Sequence, residues 1–151
     1  MRPDTAFATR AAHREWRDVV AFLRASGALL LVGTAMRLLP FAKLQPALDA
    51  LGGARAARST AGRSPDHAAV LLTASDRAAR LFGARCLARA LTSRLLLARA
   101  GVDGTVVFGV RHGGPLGTID AHAWLQLADG RRFSGEVDSH AYTAIRSMEA
   151  A

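Results

Sequence analysis

Ala121-His122-Ala123-Trp124-Leu125-Gln126-Leu127-Ala128-Asp129-Gly130 is the stretch that decides the fold. Its apolar and aromatic residues predict an extended strand over Ala121–Leu127, and Asp129-Gly130 is a strong hairpin signal. Arg131–Val137 is therefore expected to return antiparallel to the strand that carries His122. An Ala128-Asp129 loop would set Gly135 opposite His122, and an Asp129-Gly130 loop would set Val137 there. Upstream, Thr105-Val106-Val107-Phe108-Gly109-Val110 is a second β-branched and aromatic run. The loop Gly113-Gly114-Pro115-Leu116-Gly117 joins the two.

Before these strands the texture is helical. A helix is expected to begin close to Cys86, to carry Leu87, Leu91, Leu95 and Ala98 on one face, and to stop at Gly101, a residue suited to the left-handed cap. Asp66 is placed to cap a helix through Leu72 toward Leu81, interrupted at Gly83. Trp16, Val19, Val20 and Leu23 mark one face of a helix over Thr9–Leu23. A second helix is expected over Ala28–Leu39, stopped by Pro40, and a short third through Leu51, ended by Gly52-Gly53. Gly52–Pro65 reads as a loop or linker, and Ser139–Met148 as a last short helix. Helices followed by strands define an α+β chain. Residues 1–60 form an N-terminal helical segment and linker, and residues 61–151 the core of one compact unit.

Composition narrows the functions. The chain has 151 residues, 50% hydrophobic against 21% charged, which excludes general disorder. A single cysteine forms no internal disulfide and no Cys-rich zinc site, so neither metal nor cofactor is expected. The net charge of +8 is almost wholly arginine, Lys43 being the sole lysine. Without a helix-turn-helix, zinc-finger or aromatic-studded RNA-binding pattern, nucleic acid is not the expected partner. The apolar stretch Ala25–Met36, bounded by Arg24 and Arg37, is 12 residues long and falls short of the roughly 20 that span a bilayer. Cytoplasmic residence is expected, with membrane association left open but no spanning segment.

The chemistry centres on two residues. A cysteine in the first turn of a helix meets unpaired amides and the positive end of the helix dipole, which favour the thiolate, and Arg85 and Arg89 add positive charge. A thiol nucleophile needs an imidazole to take and return its proton, and His122 opens the strand that follows. His13, His67, His112 and His140 have no such supporting pattern. Trp124 is read as a core anchor on the strand face opposite His122.

Arg85-Cys86-Leu87-Ala88-Arg89-Ala90-Leu91, then Ala100-Gly101-Val102 leading into Val107-Phe108-Gly109-Val110-Arg111, then Ala121-His122-Ala123-Trp124-Leu125, resembles the lasso peptide B-protein family. Leu29-Leu30-Leu31 through Arg37-Leu38-Leu39-Pro40-Phe41 is similar to the helical preface of its split members. The resemblance implies a papain-like, transglutaminase-like core, with the Cys-bearing helix packed on a small antiparallel sheet. It implies a bacterial, cytoplasmic cysteine peptidase that removes the leader from a lasso peptide precursor. Cys86 would be nucleophile and His122 base. Gly135-Glu136 stands where the family carries its Asp, so Glu136 is the expected acid, with Asp138 second and Asp129 third. The implied partners are the precursor leader peptide, a separate leader-recognition protein and an ATP-dependent lasso cyclase. Two alternatives stay open: a transglutaminase-like acyltransferase, or a non-catalytic adaptor in the biosynthetic complex.

Overall fold

The computed structural model describes residues 5–56, 65–113, 118–133 and 138–148. Four helices precede a four-stranded antiparallel sheet, the α+β arrangement expected. The helices are α1 (Thr5–Leu38), α2 (Phe41–Ala56), α3 (Pro65–Leu81) and α4 (Cys86–Arg99). The strands are β1 (Gly104–His112), β2 (Ile119–Leu127), β3 (Arg132–Phe133) and β4 (Thr143–Met148), in the spatial order β3-β2-β1-β4.

Helix α4 is the hub. Every residue from Ala90 to Leu97 is buried, because α1, α2 and α3 pack around it and β1 and β2 close the remaining side. Leu91, Leu95, Leu96 and Leu97 fill this space, and truncating Leu91 or Leu97 to alanine would cost about 2–5 kcal/mol. The polar residues of the same stretch are paired, as burial requires. Ser93 shares a hydrogen bond with Ser75 at 2.9 Å, the Thr92 hydroxyl donates to the Ala88 carbonyl at 2.7 Å, and Arg94 meets Asp49 of α2 at 2.7 Å.

Both ends of α4 are set by glycine. Gly83 (φ 60°) turns the chain out of α3, with Ala84 N–H bonding the Ala79 carbonyl at 2.8 Å, so only Ala84 and Arg85 separate that turn from Cys86. Gly101 (φ 72°) ends α4 in the same way, with Val102 N–H reaching the Leu97 carbonyl at 2.9 Å.

Several expected boundaries moved. Thr9–Leu23 and Ala28–Leu39 are one continuous helix, because buried Ala21, Ala25, Ala28, Leu29 and Val32 hold it to the core across Gly27. Glu15–Leu38 is consequently a 24-residue helical stretch holding an 18-residue window of mean hydropathy 1.8, long and apolar enough to cross a membrane, unlike the 12 residues read between two arginines. Helix α2 runs past Gly52-Gly53 instead of stopping there. A Cβ at Gly52 would lie 2.9 Å from that of Ala98, so the glycine lets α2 approach α4 closely. The tail is a 3-10 turn (Ser139–Ala141) followed by β4, which the β1 edge recruits as a strand where a helix was expected.

The hairpin differs from both two-residue loops considered. It is a three-residue loop, Ala128–Gly130, closed by Leu127 N–H to the Arg131 carbonyl at 2.9 Å, with Gly130 at φ 84°. Leu125 therefore pairs with Phe133 and Gln126 with Arg132, a register midway between the two expected. On the other side of β2, His122 pairs with Gly109.

Candidate active site

Cys86 is the first residue of α4. It is half-buried, and its N-cap residue Arg85 gives no side-chain cap to the helix terminus. His122 lies mid-strand on β2 and is buried. Both line one open cleft of about 380 Å³, whose other walls are apolar: Leu87 of α4, Phe108 and Val110 of β1, Ala121 and Ala123 of β2, and Ile145 of β4. Ile145 reaches this position because β4 bulges there, Phe108 pairing with Arg146 and Gly109 with Ala144. The fold thus brings together the two residues singled out in the sequence, which stand 36 positions apart. A cleft of similar size, about 390 Å³, between α3, α4 and the hairpin holds Asp76, Arg89, Arg131 and Arg132, but no nucleophile with a base.

An aromatic and ionic layer supports His122. Trp124 is fully buried, as expected of an anchor, but it lies on the same face as His122, since residues two apart on a strand share a face. The two rings stack at 6.4 Å between centroids. Trp124 packs with Val107 and Tyr142 in a small cluster separate from the helical core. The Tyr142 ring lies 5.3 Å from that of His122, and its hydroxyl donates to Asp120 Oδ2 at 2.6 Å. Arg111 Nε donates to the same oxygen at 3.0 Å, and its guanidinium lies 4.8 Å from the Tyr142 ring centroid.

These contacts shift the titrations in opposite directions. The Tyr142 hydroxyl and then Arg111 hold the Asp120 carboxyl below its ordinary range, and the positive charge of His122 acts in the same sense. Tyr142 is pushed up by its bond to Asp120 and by burial, so its hydroxyl keeps its proton at neutral pH.

Asp120, Tyr142 and Arg111 were missed in the sequence. Asp120 had a signal, standing two residues before His122 and so on its face. Tyr142 had none until β4 was placed. Of the expected acids, Asp129 sits at the hairpin tip, where it accepts from Arg131 N at 3.1 Å and Arg131 Nε at 2.7 Å. Seven residues from His122, it is about 20 Å away along the strand, too far to orient the imidazole. Asp138 accepts from His140 N–H at 2.9 Å and caps the 3-10 turn. Glu136 lies outside the described residues. Among the described residues no cluster of His, Cys, Asp or Glu could hold a metal ion.

A thiol at a helix terminus sharing a cleft with a strand-borne imidazole is the arrangement of a thiol-dependent acyl-transfer site. The family model of the transglutaminase-like superfamily matches residues 28–147, and the chain belongs to that superfamily. Membership fits a cysteine peptidase or an acyltransferase, since both chemistries use one thiol and one base. No curated protein and no solved structure matches the chain.

Proposed function

We propose that this protein is a cysteine endopeptidase that removes the leader from a lasso peptide precursor in the bacterial cytoplasm. The observation that carries the peptidase reading is the shared cleft of Cys86 and His122. The finer assignment to lasso precursors rests on the sequence resemblance around Cys86, Val107–Arg111 and His122.

In this reaction the Cys86 sulfur attacks the carbonyl of the last leader residue, forming a C–S bond. His122 delivers a proton to the departing nitrogen as the C–N bond breaks. Water, deprotonated by His122, then cleaves the thioester, releasing the leader as a carboxylate and restoring the thiol. The backbone amide of Cys86 at the start of α4 is the natural donor to the oxyanion. The apolar walls of the cleft favour an uncharged residue beside the cut.

Glu136 is the proposed acid. The sequence resemblance supports it: Gly135-Glu136 stands where the family carries its Asp. Asp138 is the second candidate.

A separate leader-recognition protein and an ATP-dependent lasso cyclase are the proposed partners. Mass spectrometry of a precursor incubated with the protein and its recognition partner tests the proposal. Free leader and free core are the expected products. An amine adduct would assign acyl transfer instead, and an unchanged precursor would make the chain an adaptor.

A further inference from the structure

Helix α1 is apolar on both sides. Its inner face, Ala21, Ala25, Ala28, Leu29 and Val32, is buried in the core. Its outer face carries Trp16, Val19, Leu23, Leu30 and Leu38 at spacings that Gly27 and Thr34 complete, all exposed, with Trp16 65%, Leu23 63%, Leu30 60% and Leu38 75% exposed. Single exposed apolar residues are ordinary, but a continuous stripe of this length marks a surface that is covered in use. Exposed Arg17, Arg24 and Arg37 accompany the stripe, and no acidic residue occurs between Val19 and Leu38. The whole chain carries +8.

We propose that α1 lies along the surface of an anionic lipid bilayer, its outer stripe in the headgroup and acyl boundary and its arginines against lipid phosphates. The charge decides for this occupant. Glu15 and Asp18 offset Arg17 at the start of the stripe, but from Val19 to Leu38 the apolar face is accompanied only by Arg24 and Arg37, which matches a surface offering both hydrocarbon and negative charge. The helix does not cross the bilayer, because its inner face is already packed on α3 and α4. Arginine stems extend along the apolar surface while the guanidinium groups reach the phosphates. The outer stripe is built from residues that do not line the Cys86 cleft, so the bound protein keeps its site open to a peptide.

The test is co-sedimentation of the purified full chain with vesicles of phosphatidylcholine alone, or of phosphatidylcholine containing phosphatidylglycerol. With about fivefold gained per arginine near a charged surface, Arg24 and Arg37 give binding to the anionic vesicles on the order of thirtyfold tighter, weakened by salt. Trp16 supplies a second readout. Its emission shifts to the blue on binding, and the shift disappears in Trp16→Phe, because Trp124 is already fully buried. Leu23→Glu with Leu30→Glu abolishes binding, with circular dichroism confirming the fold. Arg24→Gln with Arg37→Gln, which leaves the apolar stripe intact, removes most of the preference for anionic vesicles. Equal affinity for both vesicles, or none, overturns the proposal. So does a concentration-dependent dimer that Leu23→Glu dissociates, which would make the stripe a contact between copies of this chain.

Discussion

Gly109 stands directly across the ladder from His122, and the absence of a side chain there is what lets the Trp124 ring lie over β1. A Cβ at Gly109 would come within 2.7 Å of the indole and 2.9 Å of the Thr143 carbonyl oxygen. Gly109→Ala must therefore displace either the ring stacked on His122 or the β1–β4 pairing. Overpacking of this kind costs about 1–3 kcal/mol, so the variant should unfold at lower urea concentration and lose turnover. An unchanged midpoint would mean that Trp124 has room to move.

The Tyr142–Asp120 bond makes a prediction about pH. The folded carboxyl is depressed relative to the unfolded chain, so its stabilising contribution is complete above the ordinary carboxyl value of about 3.9 and is lost as pH falls through the lower folded value. Tyr142→Phe removes the hydroxyl that contributes most to the depression. The variant should be less stable than wild type at neutral pH, and the difference should shrink below about pH 4. Urea midpoints at the two pH values measure it, and a difference that does not change with pH would assign the loss to packing alone.

Arg94 is buried inside the helical cage and has Asp49 as its ion-pair partner at 2.7 Å. Asp49→Ala leaves that guanidinium buried without a counter-charge, which costs about 3–5 kcal/mol when a buried pair is broken. Thermal denaturation should show a large fall for Asp49→Ala and a much smaller one for Asp49→Ala combined with Arg94→Met. Equal falls would mean that water reaches Arg94.

The sequence disclosed these elements unevenly. Cys86, Gly101 and Gly83 were legible because caps are local chemistry, and the β1 and β2 strands because β-branched and aromatic runs rarely form anything else. Thr9–Leu23 and Ala28–Leu39 read as two helices because local pattern marks each of them separately, and burial of Ala21, Ala25 and Ala28 joins them into α1. The tail Thr143–Met148 was mistaken for helix because its strand identity depends on a vacant edge of β1, a tertiary fact. The hairpin register was missed by one residue, since Asp-Gly announces a turn without fixing whether two or three residues form it.

Glu136 is expected to orient the imidazole, so Glu136→Gln should lower kcat by at least about a hundredfold, as loss of a group acting with nucleophile and base typically does. Glu136→Asp should retain more activity, and Asp138→Asn should stay near wild type apart from a weaker 3-10 turn. A slow Asp138→Asn beside a fast Glu136→Gln would exchange the two roles.

The reactivity of Cys86 in the folded protein tests the central claim without substrate or partner. The native chain is treated with iodoacetamide near neutral pH, and modification of its single cysteine is followed by intact mass. Cys86 should alkylate in the native state, more slowly in His122→Ala, with loss of precursor cleavage in step with the label. A Cys86 that stays unmodified until the protein is unfolded, or a fully labelled protein that still cleaves, would contradict a thiol-based site.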